Sequence, residues 1–124
     1  MIRVVIADDH RVVRVGLEQL LATFDDVELV GSADGGEAAV ELATSGKPDV
    51  LLLDLSMPDL DGYEVLARLG GSTATRAIPV VVVTSQRLGA AERDRLRAAR
   101  DVVYKEDISA DRMRSVVEEA TLAS

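Results

Sequence analysis

Val50-Leu51-Leu52-Leu53-Asp54-Leu55-Ser56-Met57-Pro58-Asp59-Leu60-Asp61-Gly62 is the stretch that decides the fold. Its four leading apolar residues read as a strand buried on both faces, as strands inside a parallel sheet are. The run ends abruptly on a carboxylate, Asp54. Residues 56–62 then read as loop, and Asp61 stands where its side chain would cap a helix over 62–69.

Working outward from this stretch, short apolar runs alternate with amphipathic ones. Residues 2–7 are rich in β-branched side chains and stop at the acidic pair Asp8-Asp9. Val13, Leu17, Leu20 and Phe24 then recur at helical spacing. Residues 27–33 predict a second strand and 35–44 a second helix, which Gly46 and Pro48 should stop. Beyond the central stretch, 70–75 is loop and 79–83 a fourth strand. Pro79 takes its first position, where a missing donor is tolerated. A polar-faced helix over 90–99 and a short strand over 102–104 follow. Ser109 then caps a last helix with Met113, Val116, Val117 and Ala120 on one face. Five strands alternating with five helices predict an α/β fold, a doubly wound parallel sheet with helices on both faces. With no repeat or linker, residues 1–124 are expected to form one domain.

Composition narrows the functional classes. Aromatic residues are only 2% of the chain, against stacking platforms for single strands or sugars. A net charge of −8 opposes direct binding to nucleic acid. The arginines at 87, 93, 95, 97 and 100 are interleaved with Glu92, Asp94 and Asp101, as on a solvated helix face. There is no cysteine, hence no disulfide or thiolate chemistry. No apolar run approaches membrane-spanning length, and no cleavable leader precedes the first strand. A soluble, cytoplasmic protein is expected.

In doubly wound folds, ligands bind beyond the carboxyl ends of the strands. There the sequence places Asp8 and Asp9, Asp54, Thr84 and Ser85, and Lys105. Any one aspartate could simply cap a helix. Three carboxylates gathered together repel, so the cluster calls for a cation, and oxygen-only ligands favour Mg²⁺ over Zn²⁺. With an ammonium and a hydroxyl added, this is equipment for phosphoryl transfer, and Asp54 is the best nucleophile.

Four segments together, Ile6–His10, Leu53–Gly62, Val83–Ser85 and Tyr104-Lys105, resemble the receiver domain of bacterial response regulators (CheY-like) over essentially the whole chain. Arg14, Gly16 and Leu17 look like the NarL/FixJ type, in which a DNA-binding module usually follows. The resemblance implies a flavodoxin-like (βα)5 fold with strand order 2-1-3-4-5. It implies that Asp54 is the phosphoacceptor, that Asp9 binds Mg²⁺ directly and Asp8 through water, and that the Ser56 carbonyl is a further ligand. Thr84 and Lys105 would contact the phosphoryl group. A sensor histidine kinase or phosphotransfer protein would supply it. The face formed by the fourth helix, fifth strand and fifth helix would engage an output domain, a downstream protein or a second copy. Such a domain catalyses only its own phosphorylation and dephosphorylation. His10 is read as a loop or first-turn residue without a catalytic role. Ser56 and Gln86 flank the phosphate site, at positions that influence phosphate lifetime in the family.

Three positions depart from the family pattern. The switch aromatic is replaced by Val102, and Tyr104, on the same face of the strand, is expected to take over part of its role. Glu106 stands where many relatives have proline after the lysine, so a trans bond and a rearranged loop to Ile108 are expected. Asp101 replaces a glycine ahead of the fifth strand. A complete chain ending here would be a stand-alone receiver; the NarL/FixJ-like opening favours the receiver part of a DNA-binding regulator. Alternatives are a pseudo-receiver acting as a binding module and a Mg²⁺-dependent aspartyl-phosphate phosphatase. The phosphatase typically wants a second aspartate where Ser56 stands. A nucleotide-binding module would want a glycine-rich turn in place of Asp8-Asp9-His10.

Overall fold

A computed structural model describes residues 1–122. Five strands, β1 (Ile2–Ala7), β2 (Val27–Ala33), β3 (Val50–Leu53), β4 (Val80–Thr84) and β5 (Asp101–Tyr104), form one parallel sheet in the order β2-β1-β3-β4-β5. Between and after them run α1 (Arg11–Ala22), α2 (Gly36–Gly46), α3 (Gly62–Gly70), α4 (Ala90–Arg95) and α5 (Ala110–Leu122). The expected doubly wound, flavodoxin-like order is the observed one.

Alternation along the strands explains why the sheet needs cover on both sides. Val5, Ala7, Leu51, Leu53, Val80 and Val82 face a core closed by α2 and α3. Val4, Ile6, Val50, Leu52, Val81 and Val83 face a second core closed by α1 and α5. The apolar run at 50–53 is buried throughout, with β1 on one side and β4 on the other. Asp54 therefore emerges at the middle of the sheet.

Several element ends differ from the sequence reading. Gly46 does not stop α2; the helix includes it, and Lys47 follows at φ 45°, ψ 61°. Pro48 disfavours the right-handed helical region for the residue before it. The left-handed Lys47 turns the chain so that its carbonyl accepts from Arg3 Nη1 at 3.0 Å. Pro79 precedes β4 rather than opening it. The fourth helix ends at Arg95 rather than at residue 99, because Ala90–Arg95 contains no buried side chain to hold a further turn against the sheet. Leu96, just past its end, is its anchor in the core. The expected caps are present: Asp61 Oδ1 accepts from Glu64 N at 2.9 Å, and Ser109 Oγ from Arg112 N at 3.1 Å.

The loop after β3 is fixed by backbone packing. A Cβ on Gly36, the first residue of α2, would lie 2.3 Å from the Leu60 carbonyl oxygen. One on Gly62 would lie 2.7 Å from the Asp54 carbonyl oxygen and from Leu55 Cα. Asp59 reaches across this contact, accepting from Gly36 N at 2.9 Å and Glu37 N at 3.1 Å. It thereby caps α2 from a loop far away in sequence, because Gly35 has no side chain to do so.

Candidate functional site

Strand register brings the acidic residues together. Ala7 pairs with Leu53, so Asp8 and Asp54 leave adjacent strands side by side. Asp54 N donates to the Ala7 carbonyl at 2.9 Å, and Asp8 N to the Ala33 carbonyl at 3.0 Å. Both strand ends are thus pinned before the chain turns away. Arg14, one turn into α1, donates to the Asp8 carbonyl at 2.8 Å and holds that turn from above.

Asp8 and Asp54 are 1% and 2% exposed, and Thr84 is fully buried. Lys105 Nζ stands between the two carboxylates, 3.0 Å from Asp8 Oδ2 and 3.5 Å from Asp54 Oδ1. The shorter of these is a charge contact without hydrogen-bond alignment, since Asp8 Oδ2 lacks a hydrogen-bond partner. Asp9 Oδ1 and Asp54 Oδ2 are also buried without one. Burial raises the Asp54 carboxyl above its ordinary range, and the neighbouring Asp8 charge raises it further. Lys105 and the Ser56 backbone N–H act in the opposite direction.

Unsatisfied buried carboxylate oxygens are costly, and a single cation would satisfy them together. One donor atom each from Asp8, Asp9, His10 and Asp54 lies within 4.8 Å of the other three. The residues present therefore fit a divalent metal. His10 is the site residue that sequence reasoning set aside. It does precede α1 as expected, but its Nδ1 lies 3.2 Å from both Asp8 Oδ1 and Asp9 Oδ1. Its place directly after the acidic pair was the available signal.

The remaining predicted residues ring this cluster. Thr84 Oγ1 accepts from Gln86 N at 3.0 Å, which leaves its own proton available to donate. Gln86 Nε2 donates to Ser56 Oγ at 2.5 Å, so the loops after β3 and β4 are bonded to each other. A cavity of about 160 Å³ beside Thr84 and Lys105 is also lined by Ser85, Arg87, Tyr104 and Glu106. The bond before Glu106 is trans, with no cis peptide among the described residues. Lys105–Asp107 form a 3₁₀ turn, and Glu106 pairs with Arg87 at 3.3 Å. Val102 packs into the core on the α2–α3 side, and Tyr104, two residues on, bonds Arg93 of α4 through its hydroxyl.

Residues 4–118 match the family model of the response regulator receiver domain. The chain is 44% identical over 84 residues to the response regulator GacA of Pseudomonas viridiflava, covering 68% of this chain and 38% of that protein. It is 39% identical over 82 residues to the nitrate/nitrite response regulator protein NarL of Escherichia coli (strain K12), covering 66% and 38%. The chain thus spans well under half the length of these relatives. The crystal structure of the response regulator domain of Thermotoga maritima CheB superposes with a TM-score of 0.85 at 31% identity, covering 98% of this chain and 96% of that one. By motif, by fold and by descent, this chain belongs to the response regulator receiver domain family.

Proposed function

We propose that the chain is the phosphoacceptor receiver of a two-component system, taking a phosphoryl group onto Asp54 and altering its partner-binding surface. The observation that carries this reading is the buried Asp54 Oδ2, which has no hydrogen-bond partner, in a cluster where Lys105 contacts both Asp54 and Asp8.

Asp54 attacks through the carboxylate oxygen that the metal leaves free. Its lone pair forms a bond to phosphorus as the bond from phosphorus to the donor breaks, and the donor keeps that electron pair. From a phosphohistidine the leaving group is imidazole; from acetyl phosphate it is acetate. Lys105 then shifts its charge toward the new phosphoryl oxygens, and the Thr84 proton is donated to one of them. Asp8, Asp9, Asp54 and, from the family resemblance, the Ser56 carbonyl would hold Mg²⁺. When bound, it supplies positive charge that offsets the carboxylates and the incoming phosphoryl oxygens.

The proposed donor is a sensor histidine kinase or phosphotransfer protein. The proposed readers are an output domain, a downstream protein or a second copy, engaging the face of α4, β5 and α5. The chain acts either alone or as the receiver part of a longer regulator such as its relatives, and touches no nucleic acid itself. Its chemistry is confined to its own phosphorylation and dephosphorylation, not that of a phosphatase acting on other substrates. Among the described residues no helix is long and apolar enough to cross a membrane. We place the protein in the cytoplasm, where such kinases deliver phosphate.

Incubation with acetyl phosphate and Mg²⁺, followed by intact mass, tests the reading. One added phosphoryl group is expected, absent in Asp54→Asn and without metal. An unmodified wild-type chain under these conditions would overturn it and leave a pseudo-receiver.

A further inference from the structure

His10 plays no part in the chemistry just described, yet its imidazole is aimed into it. Nδ1 lies 3.2 Å from Asp8 Oδ1, 3.2 Å from Asp9 Oδ1 and 3.8 Å from Asp54 Oδ2. The backbone fixes that placement. His10 N donates to Asp8 Oδ1 at 2.8 Å, closing a tight turn that brings the ring over the same carboxylate. Although His10 occupies the N-cap position of α1, its side chain caps nothing.

A hydrogen bond from Nδ1 to Asp8 accounts for one of these approaches. It does not account for the equal approach to Asp9 Oδ1, a buried oxygen without a hydrogen-bond partner. Nor does it account for Asp54 Oδ2, also unpartnered, on a side chain that is 2% exposed. Two donors bound at right angles to one ion, each at about 2.1 Å, stand about 3 Å apart. The separations of His10 Nδ1 from the two aspartate oxygens are close to this spacing.

We infer that His10 is a fourth side-chain ligand of the metal site formed by Asp8, Asp9 and Asp54, and that it biases the site toward first-row transition ions over Mg²⁺. The inference rests on the proposed reading that the aspartate cluster holds a divalent cation. Carboxylates alone suit Mg²⁺, which prefers oxygen and keeps its water. An imidazole nitrogen adds a donor that Co²⁺, Ni²⁺ and Zn²⁺ bind far better than Mg²⁺ does. The ring stands on the solvent side of the cluster, with its side chain 57% exposed, while the aspartates it faces are 2% exposed at Asp8 and Asp54. Removing it therefore strips one donor from the site while leaving the buried carboxylates in place.

The test uses the full chain without phosphodonor, titrated calorimetrically with Co²⁺ and with Mg²⁺, as wild type, His10→Ala and His10→Asn. Both variants should lose about tenfold or more in Co²⁺ affinity, with Mg²⁺ affinity changed by about twofold or less. In the Mn²⁺-loaded wild type, electron spin-echo modulation from an imidazole nitrogen is expected, and it should vanish in both variants. An unchanged ratio of Co²⁺ to Mg²⁺ affinity, with no nitrogen modulation in the wild type, would make His10 a hydrogen-bond partner only and overturn the inference. Failure of the wild type to bind either ion would instead overturn the aspartate metal site itself. Metal-free melting curves of the variants separate loss of a ligand from loss of the fold.

Discussion

Arg93 Nη2 donates a 2.8 Å hydrogen bond to Tyr104 Oη, joining α4 to β5 at the residue before Lys105. A second arginine of α4, Arg95, lies 3.9 Å above the centre of the Tyr63 ring on α3. Both tyrosines of the chain therefore hold α4, a helix that buries none of its own residues.

Tyr104→Phe keeps the ring and loses the acceptor. Amide exchange across residues 90–96 should speed up, while global stability falls by no more than about 1 kcal/mol. Phosphorylation of Asp54 by acetyl phosphate should proceed as in the wild type. Unaltered exchange in α4 would show that Tyr104 does not hold the helix, and would remove its claim to replace the aromatic missing at Val102.

The bond from Gln86 to Ser56 links two loops at the edge of the aspartate cluster. We expect it to limit water's approach to a phosphorylated Asp54. A bond of roughly 1 kcal/mol corresponds to about fivefold in rate, so Gln86→Ala should shorten phosphate lifetime by up to that factor. Ser56→Ala should do the same, and the double variant should add little. Decay of the phosphorylated mass with time measures this, and an equal or longer lifetime in Gln86→Ala would refute it.

Asp59 ties the loop after β3 to the start of α2, and Asp59→Ala should lower the melting temperature by a few degrees. The two backbone N–H groups of Gly36 and Glu37 hold its carboxyl below the ordinary 3.8. A carboxyl lowered on folding stabilises above its unfolded value and loses that effect as pH falls through the folded one. The gap between wild type and variant should be constant near neutrality and close only below 3.8. Melting curves across acid pH check this; a gap that closes near neutrality would contradict it.

Asp54 has the opposite sign. Its carboxyl is raised by burial and by Asp8, so its contribution to stability is present below the unfolded value and lost as pH rises through the folded one. Without metal at neutral pH, Asp54→Asn should melt above the wild type, and the difference should vanish in acid. Mg²⁺ at a hundred times its dissociation constant should stabilise the wild type by about 2.7 kcal/mol and the variant much less. A variant that melts below wild type in the absence of metal would contradict this account.

The central sheet and the place of the candidate site on it were legible because period and position coincide. Each of Asp8, Asp54, Thr84 and Lys105 lies at or just past the end of an apolar run, and parallel strands place all such ends on one edge. Asp61 and Ser109 were legible as caps because a cap and its helix are local in sequence. Asp59 was not, since its partners at Gly36 and Glu37 are brought near only by packing of the loop backbone. The end of α4 was misjudged for a related reason. Its residues carry helix propensity but no apolar stripe, and Leu96 and Ala99, which reach the core, lie past its end. His10 was readable as a turn residue, whereas the direction of its ring depends on two carboxylates whose places the strands decide.

The sparse attachment of α4 also bears on how such a domain could diversify. Substitutions along Ala90–Arg95 leave no cavity, because no side chain there fills one. Apart from Arg93 and Arg95, which the two tyrosines engage, a lineage could exchange these surface residues at no cost in packing, and under the proposed function it would gain new listeners while keeping the aspartates, Thr84 and Lys105. If the proposed function holds, duplicated copies would part company in whom they inform before they differ in how they are charged with phosphate.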